Sequence, residues 1–165
     1  MSQQESELLR IEGLKTHFFT DDGIVRAVDG VSLHIAAGET LGVVGESGCG
    51  KSVTAFSVLR LMPSRRARIV EGAIWFTRRD GTRIDLTELD PYGDEIRSIR
   101  GNEIAMIFQE PMTSLSPVHT IGDQIAEAVE LHQNMTHQEA MERAVAMLAE
   151  VGMALPEQRA HQYPH

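Results

Sequence analysis

Gly45-Glu46-Ser47-Gly48-Cys49-Gly50-Lys51-Ser52 brings three glycines, an amine and two hydroxyls together in eight residues. The order matches G-x-x-x-x-G-K-[ST], a loop built to hold phosphate. Side chains would block a backbone that must wrap around a phosphate chain. Glycines permit the close approach and the positive φ angles that turn successive N–H groups inward. On this reading the backbone from Gly45 to Val53 is the cradle: Gly45, Glu46, Ser47, Gly48, Cys49, Gly50, Lys51, Ser52 and Val53. Lys51 neutralises the β and γ phosphates, and the Ser52 hydroxyl is a ligand for Mg²⁺. Cys49 stands at an unrestricted position, as a small residue that fits or as a redox-active thiol.

Such a loop needs a strand before it and a helix after it, so that the positive end of the helix dipole faces the anion. Thr40 to Val44 is apolar enough for a buried strand, and Lys51 to Met62 has helix spacing before Pro63. Upstream, Leu9 and Ile11 alternate with polar residues, as do Val31, Leu33 and Ile35, and each set predicts a strand. Ala36 to Glu39 reads as a turn. Ile69 to Leu86 reads as short strands around the turn Arg78 to Gly81, and Glu103 to Phe108 as a further strand. Ile121 to His132 predicts a helix. Thr136 and Glu139 predict a capping box opening another, with Met141, Val145 and Leu148 on one face and Gly152 at its end. The segment after it reads as irregular.

The chain has 165 residues, 42% of them hydrophobic, enough for a domain with a core. A net charge of −9 argues against a nucleic-acid partner, which selects a basic face. Arg65, Arg66 and Arg68 form a local basic cluster, either a solvated turn or a face for a partner or acidic lipid. A single cysteine allows no internal disulfide and fits a reducing compartment. The first ten residues do not read as a secretory signal, and no apolar run reaches the ~18 residues of a membrane span. Any membrane role is expected to be peripheral.

A phosphate loop does not by itself name a machine. No N-K-x-D is present to read guanine, and Asp90 to Gly93 follows no continuous apolar strand. Histidine pairs 132/137 and 161/165 do not share a helix turn in a way that favours a metal site. Glu103 to Ile125, EIAMIFQEPMTSLSPVHTIGDQI, resembles the Q-loop region of ATP-binding-cassette (ABC) transporter ATPases. The stretch from Leu14 to Ser52 resembles the opening of their nucleotide-binding domains. The phrases AVDGVS, GESGCGKS and FQEPMTSLSP are similar to the subfamily that energises import of oligopeptides, dipeptides or nickel. Reading AMIFQE as a Walker B strand fits less well, because Gln109 stands where an aspartate should help hold the metal.

The resemblance implies an α/β P-loop fold of the ABC type. It implies an antiparallel β portion and phosphate-loop core over residues 1–110, and the start of a helical subdomain over 111–165. Phe18 falls where the family stacks an aromatic on adenine, although neighbouring Phe19 leaves the register open. Lys51 and Gln109 carry the catalytic roles, with Ser52 and Gln109 at the metal and Glu110 a surface or hinge residue. The cofactors implied are ATP and Mg²⁺. The partners implied are integral membrane permease subunits, a second ATP-binding subunit in a homo- or heterodimer, and, indirectly, an external solute-binding protein. The location implied is peripheral, on the cytoplasmic face of the membrane.

The family's L-S-G-G signature, its apolar strand ending in Asp-Glu and its switch histidine have no counterpart in this sequence. The expectation is therefore a truncated domain that supplies half of a composite site and does not hydrolyse ATP alone. The alternatives are an ATP-holding or docking module without turnover, and a soluble ABC ATPase of DNA repair or translation. The phrase PMTSLSP disfavours the last.

Overall fold

Strands β1 (Glu7–Thr20) and β2 (Gly23–Ala36) form a long antiparallel hairpin. Both extend well beyond the short alternating runs that predict them. A computed structural model describes residues 7–109, 114–133 and 135–165. They divide into a unit ending at Glu103 and a unit from Ile104 to His165.

In the first unit β1 lies between β2 and β3 (Ala67–Thr77), and β4 (Arg83–Asp85) pairs with the far side of β3. The order β2-β1-β3-β4 is antiparallel throughout. Ile11, Leu14 and Thr16 are buried on β1, as are Val28 on β2 and Ile74 and Phe76 on β3; Ile11 pairs with Ile74 and Thr16 with Val28. Full burial of a side chain such as Ile74 contributes about 1.5–3 kcal/mol. The predicted turn at Arg78 to Gly81 is present, closed by Gly81 N–H to the Arg78 carbonyl at 2.9 Å and Arg78 N–H to Thr82 at 2.8 Å. The predicted turn after β2 is present too, with Glu39 N–H donating to the Ala36 carbonyl at 3.1 Å.

Helix α1 (Lys51–Val58) starts where the glycine loop predicts but ends short of Met62. Arg60 adopts φ 55, and the N–H groups of Arg60 and Leu61 turn back to the carbonyls of Ser57 and Phe56 at 3.1 and 2.9 Å. This is a Schellman ending with arginine where glycine is usual. The Arg100 guanidinium, just past helix α2 (Asp94–Ile99), donates to the carbonyls of Leu59 at 2.8 Å and Arg60 at 3.1 Å. The helix therefore stops at its own cap, before Pro63 acts. Ile96 and Ile99 of α2 are fully buried.

Two predicted strands are absent. Thr40 to Val44 and Glu103 to Phe108 contain no strand, and Val44 and Ile107 are each 96% exposed. A strand is held by ladder hydrogen bonds, and across the two runs only an isolated bridge at Ile104 is formed. Glu103 has a different job: its carboxylate, 5% exposed, accepts from Arg78 Nη2 at 2.7 Å and Nε at 2.9 Å. That pair ties the β3–β4 turn to the end of the unit.

The second unit packs α3 (Ile121–Gln133), α4 (His137–Glu150) and α5 (Pro156–Ala160). Ala126 and Val129 of α3 meet Ala140 and Met141 of α4. A Cβ on Gly122 would sit 2.8 Å from the Ala160 carbonyl oxygen, so α3 and α5 approach closely there. The capping box of Thr136 and Glu139 is formed as predicted. On α4 the buried residues are Ala140, Ala144 and Leu148, while Met141 and Val145 are half-buried. Small alanines take the closest approach, so the core face is centred beside the predicted one. Gly152, at φ 76, ends this helix.

Candidate functional site

The loop from Gly45 to Gly50 hands directly to α1. Gly48 and Gly50 take φ 83 and 94, the left-handed region the motif needs. The N–H groups of Lys51, Ser52 and Val53 open the helix and have no intrahelical acceptor; Thr54 N–H is the first to find one, the Gly50 carbonyl at 2.9 Å. No acidic residue lies in the first turn of α1, so the positive end of its dipole is not offset from within.

The Lys51 ammonium folds over the loop. It donates to the carbonyls of Gly45 and Glu46 at 2.7 Å each and lies 3.5 Å from the Cys49 sulfur. The loop is thus stapled by the cation that would otherwise face an anion. These acceptors are exposed and exchangeable. A Cβ on Gly45 would meet that sulfur at 2.7 Å, so the Cys49 side chain packs against a position where only glycine leaves room. Unsaturated N–H groups, a cation at the loop and a glycine-lined path fit a phosphate chain. The exposed Ser52 hydroxyl at the helix start is the described group suited to a hard cation beside it.

The sheet holds this loop in place through contacts that no motif encodes. The register of β1 with β2 shifts between Thr16 and His17, leaving Ala27 as an extra residue. The Ala27 carbonyl oxygen faces Gly50 so closely that a Cβ there would be 2.2 Å away. Thr16 Oγ1 and Ser57 Oγ, both fully buried, hydrogen-bond at 2.9 Å and tie β1 to α1. Ser57 also donates to the Val53 carbonyl at 2.8 Å.

Alternation along β1 puts Phe18 on the face that carries Thr16, and Phe19 on the other. Phe18 pairs with Val25 and Ala67 and is half-buried. Phe19 is exposed, with the Arg68 guanidinium 5.7 Å from its ring centroid. Phe18 is therefore the ring on the α1 side of the sheet.

Gln109 belongs to the second unit and its side chain is exposed. Glu110 and the PMT of the quoted phrase lie outside the described residues. Of the basic cluster, Arg66 pairs with Asp21 at 2.9 Å and Arg68 lies over Phe19, while Arg65 has no such contact among the described residues. His137 bonds Glu130 at 2.6 Å.

Comparison with known proteins follows the same line. The family described as "ABC transporter" matches residues 28–165. The chain is 52% identical over 158 residues to "Probable peptide ABC transporter ATP-binding protein y4tR" of Sinorhizobium fredii, covering 96% of this chain and 45% of that protein. It is 48% identical over 160 residues to the oligopeptide transport ATP-binding protein AppD of Bacillus subtilis, covering 97% and 47%. The chain spans about half the length of the curated relatives it matches. Its fold is similar to a dimeric ATP-binding cassette in a post-hydrolysis state bound to ADP and Pi. The TM-score is 0.76 at 24% identity, over 95% of this chain and 62% of that one.

Proposed function

The chain belongs to the ABC transporter family, and from that premise we propose that it is the ATP-binding portion of a subunit that powers peptide import. The observation that carries this reading is the loop itself, with Lys51 held at its mouth and the first N–H groups of α1 open. Peptide is favoured over nickel as cargo because the relatives are named for peptide, oligopeptide and dipeptide transport.

The roles follow from the residues. The loop N–H groups and Lys51 bind the phosphates; Lys51 exchanges its two carbonyl acceptors for phosphate oxygens. Ser52 would hold Mg²⁺, and Gln109 is the other residue proposed as a metal ligand. When bound, the metal supplies charge neutralisation on the β and γ oxygens. Phe18 offers its ring to the adenine, which suits a site that reads the base by shape. No described helix is long and apolar enough to cross a membrane. Integral membrane permease subunits and a second ATP-binding subunit are the partners proposed, at the cytoplasmic face, with an external solute-binding protein selecting cargo.

The test is calorimetric titration of the chain and of Lys51→Ala with Mg-ATP. Loss of charge-assisted phosphate contacts costs ~1.5–3 kcal/mol each, so affinity should fall roughly tenfold to a hundredfold. Equal affinity in the two proteins removes the phosphate-loop assignment.

A further inference from the structure

A second basic site lies in the first unit, built from other residues than the glycine loop. A cavity of about 770 Å³ is lined by Arg60, Arg65, Arg68 and Arg100, with Leu61, Met62 and Tyr92 among its other walls. Its volume is in the range of small-molecule sites. Four arginines lining one cavity are unexpected in a chain of net charge −9, although the Arg68 guanidinium itself lies over Phe19.

None of the four makes an ion pair among the described residues. Arg60 is half-buried, and its guanidinium makes no ion pair or hydrogen bond among the described residues. Asp85, Glu88 and Asp90 act on it only electrostatically. Two of them are committed elsewhere: Asp85 accepts from Ile74 and Thr87, and Asp90 from Tyr92 N–H. Arg100 spends its donors on the Leu59 and Arg60 carbonyls, so its charge too lacks a counter-ion. Burial lowers the pKa of both groups, and for Arg100 repulsion from Arg60 and Arg97 adds to it. Like charges held together in a partly dry cavity are stabilised by an anion. The Schellman end of α1 fixes the arrangement, since Arg60 sits in its left-handed position and Arg100 clamps it.

We propose that this cavity binds an organic phosphate ester, its phosphate drawn to the arginines that line it, Arg60 and Arg65 among them, and its carbon portion against Leu61 and Met62. Planar guanidinium forks match phosphate oxygens in pairs, and the apolar wall has no use for a bare inorganic ion. The ester is either a soluble metabolite or the headgroup of an acidic phospholipid, which share this chemistry.

The test uses the full chain carrying Lys51→Ala, which silences the glycine loop, and two probes. Phenyl phosphate stands for the soluble ester, and phosphatidylglycerol vesicles, against phosphatidylcholine vesicles, for the lipid. The Lys51→Ala protein should bind at least one probe. Adding Arg65→Gln, at an exposed position that leaves the α1 cap intact, should weaken binding about tenfold, and Arg60→Lys should weaken it less than Arg60→Gln. Binding of phenyl phosphate in solution assigns the soluble source; retention on phosphatidylglycerol vesicles alone assigns the lipid. Failure to bind either probe, or binding unchanged by Arg65→Gln and Arg60→Gln with the fold intact by circular dichroism, overturns the proposal.

Discussion

The carbonyl oxygen of Ala27 occupies the space that a side chain on Gly50 would need, 2.2 Å from where its Cβ would sit. A bulge in β2 thereby sets the end of the glycine loop. Gly50 is also at φ 94, and Gly48, at φ 83, has open space around it. The two glycines separate conformational strain from collision. Gly48→Ala should cost only the left-handed backbone, about 1–2 kcal/mol. Gly50→Ala should add displacement of the loop, for a loss on the order of 3 kcal/mol. Urea unfolding followed by the fluorescence of Trp75 measures both. Equal losses would mean that the Ala27 bulge does not support the loop.

Phe18 and Phe19 face opposite sides of β1, and only the Phe18 side is tied to α1 through Thr16 and Ser57. Base–aromatic stacking is worth about 1–3 kcal/mol. Phe18→Ala should weaken ATP and GTP binding alike by that amount, because a ring stacks on any purine, and Phe18→Tyr should be nearly neutral. Phe19→Ala should leave affinity unchanged. A larger loss in Phe19→Ala than in Phe18→Ala would place the base on the other face.

The glycine loop, its helix and the capping box at Thr136 were legible because each is local chemistry with fixed spacing. The predicted strands at Thr40 to Val44 and Glu103 to Phe108 were not formed, since an apolar run records what a segment buries and not which strand it pairs with. The end of α1 was misplaced for a similar reason: Arg100, forty residues away, holds a cap that Arg60 would not advertise as glycine does. Helix α5 did carry a local sign, Pro156 at its first turn. The Ala27 bulge and the Thr16–Ser57 bond depend on register between distant segments, and no motif contains them.

The α4 capping box carries a pH signature. Glu139 Oε2 accepts from Thr136 N–H at 2.8 Å and from Thr136 Oγ1 at 2.7 Å. These bonds, the side-chain one first, hold the carboxyl below the ordinary glutamate range. A depressed folded value means that the stabilisation is present above the unfolded pKa of about 4.3, and is lost as pH falls through the folded value. Thr136→Ala should return the Glu139 carboxyl toward its ordinary value and destabilise α4 by about 1 kcal/mol. Carbon-13 titration of the carboxyl, with amide exchange along α4, reads both effects. The same titration in both proteins would show that the box does not stabilise the charged form.

Turnover by the 165-residue polypeptide is the most demanding expectation, because it rests on which groups the chain supplies. In-line attack on a γ-phosphate needs a positioned water, a metal held on more than one side and charge stabilisation on the equatorial oxygens. The proposed roles assign Lys51 to the charge, Ser52 to the metal and Gln109 to the water. No acid ends an apolar strand in the order that would orient that water, and no L-S-G-G loop is present for one copy to offer another. Groups that act as a unit are not additive, so the lack of several does not leave a proportionate fraction of the rate. The expected result is ATP binding with phosphate release no faster than from Mg-ATP in buffer, at any protein concentration, because self-association adds no missing group. A phosphate-release assay on the purified chain and on Lys51→Ala decides it. Steady turnover that disappears in Lys51→Ala would place a working carboxylate within these residues, with Glu110, next to Gln109, the first to replace by glutamine.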